Sequence, residues 1–137
     1  MTNPLQAYAL ADRSVDTEDK GKVLVKVFQV MLEKLEIAKT AMASKDYATK
    51  CRELSKITTT LEVLIGSLDM SQGEIASNLQ RLYGYVMAQI REAHVTLSPK
   101  TIDGCKEILT FLHDGFAKAN DNKAKANADT RRKLVSA

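Results

Sequence analysis

Apolar residues recur along this chain in steps of three and four. Between about Thr17 and Met42 the stripe Leu24, Phe28, Met31, Leu35, Ala38 and Met42 has the spacing of a helix packed nearly parallel or antiparallel to its neighbours. Asp16 or Thr17 is its expected N-cap, and Glu18 and Asp19 suit the positive end of the helix dipole. A second helix is predicted to start near Ser44 to Asp46, with Tyr47, Cys51, Leu54, Ile57 or Thr58, Leu61, Leu64 or Ile65, and Leu68 on its apolar face, and to end between Gly66 and Gly73. The third, from about Gly73 to Ala93, carries Ile75, Leu79, Leu82, Val86, Ile90 and Ala93. After a turn through His94 to Ser98, the pair Ser98-Pro99 reads as a helix start, because proline's missing N–H is not needed in the first turn. Ile102, Cys105, Leu109, Leu112, Phe116 and Ala119 then form the fourth stripe.

Short connections make consecutive helices neighbours, so the predicted fold is all-α: an antiparallel four-helix bundle with a short N-terminal arm and an extended, partly frayed C-terminal helix. The expected organisation is an arm over 1–16, a bundle domain over 17–125 and a basic tail over 126–137. Fraying is expected in the tail because its Asn-, Ala- and Lys-rich sequence has little apolar spacing.

At 137 residues the chain has room for one hydrophobic core. Its net charge of +3 is uneven: beyond Phe116 six basic residues face Asp121 and Asp129, leaving +4 there and −1 on the body. A nearly neutral body lacks the basic stripe that phosphate recognition requires, so nucleic acid is not expected as a partner. Cys51 and Cys105 are too few for a disulfide framework, and both are expected to be buried thiols. The first sixteen residues lack an apolar leader core, and no apolar run reaches the ~20 residues that span a bilayer. A cytoplasmic protein without membrane insertion is expected.

Catalysis needs unlike functional groups held together, and the sequence offers only His94, His113, two isolated cysteines and scattered carboxylates. There is no His pair one turn apart, no Glu-x-x-His, no paired-Cys motif and no glycine-rich phosphate loop. No enzyme activity and no cofactor are expected. His94 reads as a C-terminal cap favoured by the helix dipole, and His113 as a partly exposed side chain beside Asp114. A surplus of apolar surface is more informative. Val23, Val27, Val30, Ile37 and Ala41 form a second stripe on the first helix, and Ile108 and Phe111 lie off the seam of the fourth. Such residues serve either as wide flanks of a bundle core or as a groove for another amphipathic helix. In the arm, Leu5, Tyr8 and Leu10 are spaced so that one helical turn presents them together.

The run Ser67-Leu68-Asp69-Met70, Gly73-Glu74-Ile75-Ala76-Ser77-Asn78-Leu79, Leu82-Tyr83-Gly84-Tyr85 and Glu92-Ala93 closely resembles the central signature of the flagellin export chaperones (FliS-like proteins). Pro4 and Gln6-Ala7-Tyr8 resemble that family's N-terminal arm, and Lys22 to Lys39 its first helix, so the likeness covers about residues 3 to 116. Phe28-Gln29-Val30 stands where the family has a Tyr-Asp-Gly, and its double glycine is Gly73 alone.

The resemblance implies a cytoplasmic chaperone that binds the disordered C-terminal segment of flagellin, prevents premature polymerisation and assists delivery to the flagellar type III export gate. Leu5 and Tyr8 match the arm positions that dock to the export gate's cytoplasmic domain and cover the groove in the empty state. The client surface is expected among Val23, Val27 and Val30 of the first helix, Ile57, Leu61 and Leu64 of the second, and Ile108 and Phe111 of the fourth, each of which can equally be core. Tyr83 and Tyr85 point in different directions, so at least one is expected at the surface. An anti-sigma factor or co-chaperone is an open further partner. The alternative is a helical-bundle adaptor or regulator of flagellar assembly that binds a protein other than flagellin.

Overall fold

A computed structural model of the chain describes Leu5, Tyr8 and residues 17–136, with side chains at the two arm positions and over 20–135. Four helices follow one another: α1 (Thr17–Ala43), α2 (Tyr47–Gly66), α3 (Glu74–Thr96) and α4 (Pro99–Ser136), with a 3₁₀ turn over Met70–Gln72 ahead of α3. Local chemistry sets these limits. Asp46 caps α2, its carboxylate accepting from the Thr49 N–H at 3.2 Å, and Asp69 does the same for the 3₁₀ turn through Ser71. Gly73 precedes α3 at φ +72°, a backbone shape that favours glycine. Pro99 opens α4 as its spacing predicts. Of the two expected caps of α1, Thr17 is its first helical residue, while Asp16, Leu10 and the side chains of Glu18 and Asp19 lie outside the described residues.

Each helix packs on the next, and α1 closes the ring on α4. The α1–α4 seam runs antiparallel: Lys39 meets Asp103, Glu36 meets Lys106, Gln29 meets His113 and Phe28 meets Phe116. At Gly21 the two helices approach so closely that a Cβ there would lie 1.9 Å from Asn120 Oδ1. Continuing this register sets the start of α1 opposite the Ala124–Lys125 step of α4. Residues 126–136, roughly 16 Å of helix at about 1.5 Å per residue, therefore run on past α1.

The seams expected for α1 and α4 form the core. All six α1 positions are buried, as are Ile102, Cys105, Leu109, Leu112 and Phe116, with Ala119 half-buried beside them. Burial pushes the Cys105 thiol up to about 11, which keeps it protonated and inert. Elsewhere the structure corrects the reading. Tyr47 and Cys51 are exposed, and the inner positions of that first stretch of α2 are Lys50 and Glu53. Both charges have partners: Lys50 Nζ donates to the His94 carbonyl at 3.2 Å, and Lys34 Nζ donates to Glu53 Oε2 at 3.2 Å. In α3 the buried face includes Ala76 and Tyr83, leaving Ile75 and Leu82 half-buried. The tail segment expected to fray is helical as far as Ser136, consistent with its content of Ala, Lys and Arg, all strong helix formers.

Candidate functional site

The side chains on the α2-facing edge of α1 are short. Val23, Val27 and Val30 repeat at steps of four and three, so they stack along one face, and as β-branched residues they cannot reach across to α2. Opposite them stands Thr60. Its hydroxyl bonds the Lys56 carbonyl at 2.9 Å, which satisfies the polar atom locally and leaves its methyl group facing outward. The result is an open apolar groove of about 320 Å³ lined by Val23, Lys26, Val27, Val30, Met31 and Thr60. Val23 remains 61% and Val30 39% exposed. Covering such a side chain is favourable by on the order of 1 kcal/mol each. Lys26, on the rim, is the groove's single charged lining residue.

The sequence-nominated residues separate into three groups. Val23, Val27 and Val30 come together in this groove. Ile57, Leu61 and Leu64 do not join them: they are at most 7% exposed and belong to the core, because they continue the inward seam of α2 rather than its flank. Ile108 is half-buried against the core, and Phe111, 74% exposed, lines a separate shallow depression on α4 with Thr110 and Asp114. Sequence reasoning missed Thr60, a residue whose polar label conceals an apolar face once its hydroxyl bonds the helix backbone. It also missed Met31 as a groove-lining residue.

The arm residues do not line this groove, and Tyr8 packs against α3 and α4 instead. Leu5 and Tyr8 are 2% and 6% exposed, and a Tyr8 N–H to Leu5 carbonyl bond of 3.1 Å closes a turn between them. Tyr8 meets Phe116 edge-on with centroids 6.0 Å apart, and Phe28 stacks on Phe116 at 5.4 Å. The Tyr8 and Tyr83 hydroxyls hydrogen-bond each other, and Lys20 Nζ donates to the Tyr8 carbonyl at 2.6 Å. Burial, then the neighbouring Tyr83, raises the Tyr8 phenol far above its ordinary range, and burial raises that of Tyr83. Tyr83 is thus the inward tyrosine of α3 and Tyr85, 54% exposed, the outward one.

His113 contacts Asp114 at 3.0 Å and Gln29 at 3.3 Å, with no nucleophile in that set. His94 is the basic residue in the last turn of α3. Burial and then the Lys50 ammonium lower its pKa, and Lys50 itself supplies the positive charge at the end of α3. Among the described residues no group of three His, Cys, Asp or Glu is arranged to hold a metal ion. Among them, too, no helix is long and apolar enough to cross a membrane.

Comparison with known proteins agrees with the resemblance. A family model described as "Flagellar protein FliS" matches residues 1–123. The flagellar secretion chaperone FliS of Vibrio cholerae serotype O1 is 29% identical over 119 residues, which is 85% of this chain and 88% of that protein.

Proposed function

The chain belongs to the flagellar protein FliS family and is an export chaperone of flagellar assembly, and from that premise we propose that its client is the disordered C-terminal segment of flagellin. The segment docks as an amphipathic helix in the groove between α1 and α2. The observation that carries this reading is the row Val23, Val27 and Val30, an apolar groove with Lys26 as its one charged lining residue. A helix seated there uses anchors one turn apart, and two turns of client match the length of the row. Ordering a flexible client lowers affinity per unit of area, but the client folds only while it is held. The protein works in the cytoplasm by binding, without catalysis or a cofactor.

Leu5 and Tyr8 form the second part of the proposal. Docked on the aromatic cluster they complete the core at one edge of α1, and released from it they present a Leu-Tyr turn to the export gate's cytoplasmic domain. Isothermal titration of the full chain with the C-terminal flagellin segment tests the client assignment. The expected result is saturable one-to-one binding with a negative heat-capacity change, weakened roughly tenfold or more by Val27→Glu and little changed by Phe111→Glu. Absence of binding by the folded wild type would exclude flagellin as the client.

A further inference from the structure

The matched family region ends at residue 123, while α4 continues to Ser136. The charge changes at the same place. Residues 1–123 hold 16 basic and 16 acidic side chains, so they are neutral; from 124 onward four basic residues face the lone Asp129, and the whole net charge of +3 lies there. The far end of α4 concentrates it in Arg131, Arg132 and Lys133, followed at once by Leu134 and Val135, which are 75% and 86% exposed. Arg132 also contacts Asp129 at 3.3 Å. Every side chain from Ala128 to Val135 is exposed. The α1–α4 register carries this stretch beyond the start of α1.

We propose that this distal end of α4 is a contact site for an anionic lipid surface. Three basic residues on successive positions point around the helix, so a plane met by the helix end is reached by all of them, while Leu134 and Val135 enter the headgroup layer. Basic residues near such a surface are attracted by its negative potential, and apolar ones add affinity by insertion. Nucleic acid would use the positive charge but not the exposed Leu-Val pair, so lipid is favoured. With one short basic-apolar signal the association is weak and reversible, as suits a carrier that must leave again. The helix meets the surface by its end without crossing it.

Co-sedimentation of the full chain with vesicles tests the site, using phosphatidylcholine alone and phosphatidylcholine mixed with phosphatidylglycerol. The expected result is partition onto the mixed vesicles at low salt, falling as salt screens the charges, with roughly tenfold weaker partition onto phosphatidylcholine. Leu134→Asp with Val135→Asp, and Arg131→Glu with Arg132→Glu and Lys133→Glu, each abolish it. Both sets leave the thermal melt of the bundle unchanged, because the mutated side chains are exposed and lie outside the core cluster. No preference for the anionic vesicles overturns the proposal. So does an oligonucleotide that binds as tightly as the vesicles and is indifferent to the Leu134 and Val135 changes.

Discussion

The two edges of α1 differ in how they are closed. Along α4 contacts recur over the length of the seam: Gly21 against Asn120 beside a small depression lined by Lys22, Val25 and Ala117, Phe28 stacked on Phe116, Gln29 on His113, and the pairs Glu36–Lys106 and Lys39–Asp103 at the far end. Tyr8 adds its ring edge-on to Phe116, and both of its oxygens have partners. Along α2 the closure is partial. Lys34 and Glu53 join the helices mid-way, where Arg52 and Lys56 also approach the Glu53 carboxylate, but at the level of Val23 to Val30 the groove stays open. Side-chain size decides the outcome. Long aromatic groups span the distance between helices, valines and a threonine do not, and the shortfall is the groove.

Breaking the closed edge has the largest expected effect. Phe28→Ala removes a fully buried ring that stacks on Phe116 and touches Tyr83, and should cost about 3–5 kcal/mol in chemical denaturation. Val27→Ala on the open edge should cost well below that.

Next comes the arm. Tyr8→Phe keeps the ring but leaves the Tyr83 hydroxyl buried without its partner, an expected loss of roughly 1–3 kcal/mol. The same variant alters the alkaline limb of stability. A phenol raised by burial keeps its proton in the folded chain, so its contribution is complete below the ordinary value of 10.0 and is lost as pH rises above it. The wild type should therefore lose stability above pH 10.0 more steeply than Tyr8→Phe, by up to about 1.4 kcal/mol per pH unit. Equal slopes would mean that Tyr8 is not held in the core.

The close approach at Gly21 gives a smaller effect. Alanine is the better helix former by about 1 kcal/mol, but its methyl group would displace the Asn120 amide, whose buried Oδ1 has no hydrogen-bond partner. Gly21→Ala should thus yield its gain only when combined with Asn120→Ala. A non-additive double-mutant cycle in thermal melts would establish the coupling. On the acid side the Glu53 carboxyl is raised by burial but lowered more by Lys34, Lys56 and Arg52, for a net decrease from 4.5. Its contribution is present above that value and fades as pH falls below it, so Glu53→Gln should flatten the acid limb.

The closed edge was largely legible in the sequence, and the open one only in part. Sustained alternation of three and four fixed α1 and α4, where apolar character and burial coincide. It failed at the start of α2, because Tyr47 and Cys51 look apolar while Lys50 and Glu53 bury their stems and find polar partners on α3 and α1. Nor does periodicity reveal that Tyr83 turns inward, since the group that meets its hydroxyl is Tyr8, 75 positions away. For the groove, the valine row was visible as surplus apolar surface. Its separation from Phe111, and the enclosure of Ile57, Leu61 and Leu64, depend on the angle at which each helix faces its neighbours, which spacing within one helix does not determine.

The central claim is that the open edge, and not another face, holds the client. With Cys51→Ser to remove the exposed native thiol, cysteines placed one at a time at Val23 and Phe111 report on the two surfaces through their alkylation rates with and without the flagellin C-terminal segment. Strong protection at position 23 with an unchanged rate at 111 is the expected result. Protection at 111 with none at 23 would contradict the claim and move the client to the outer face of α4.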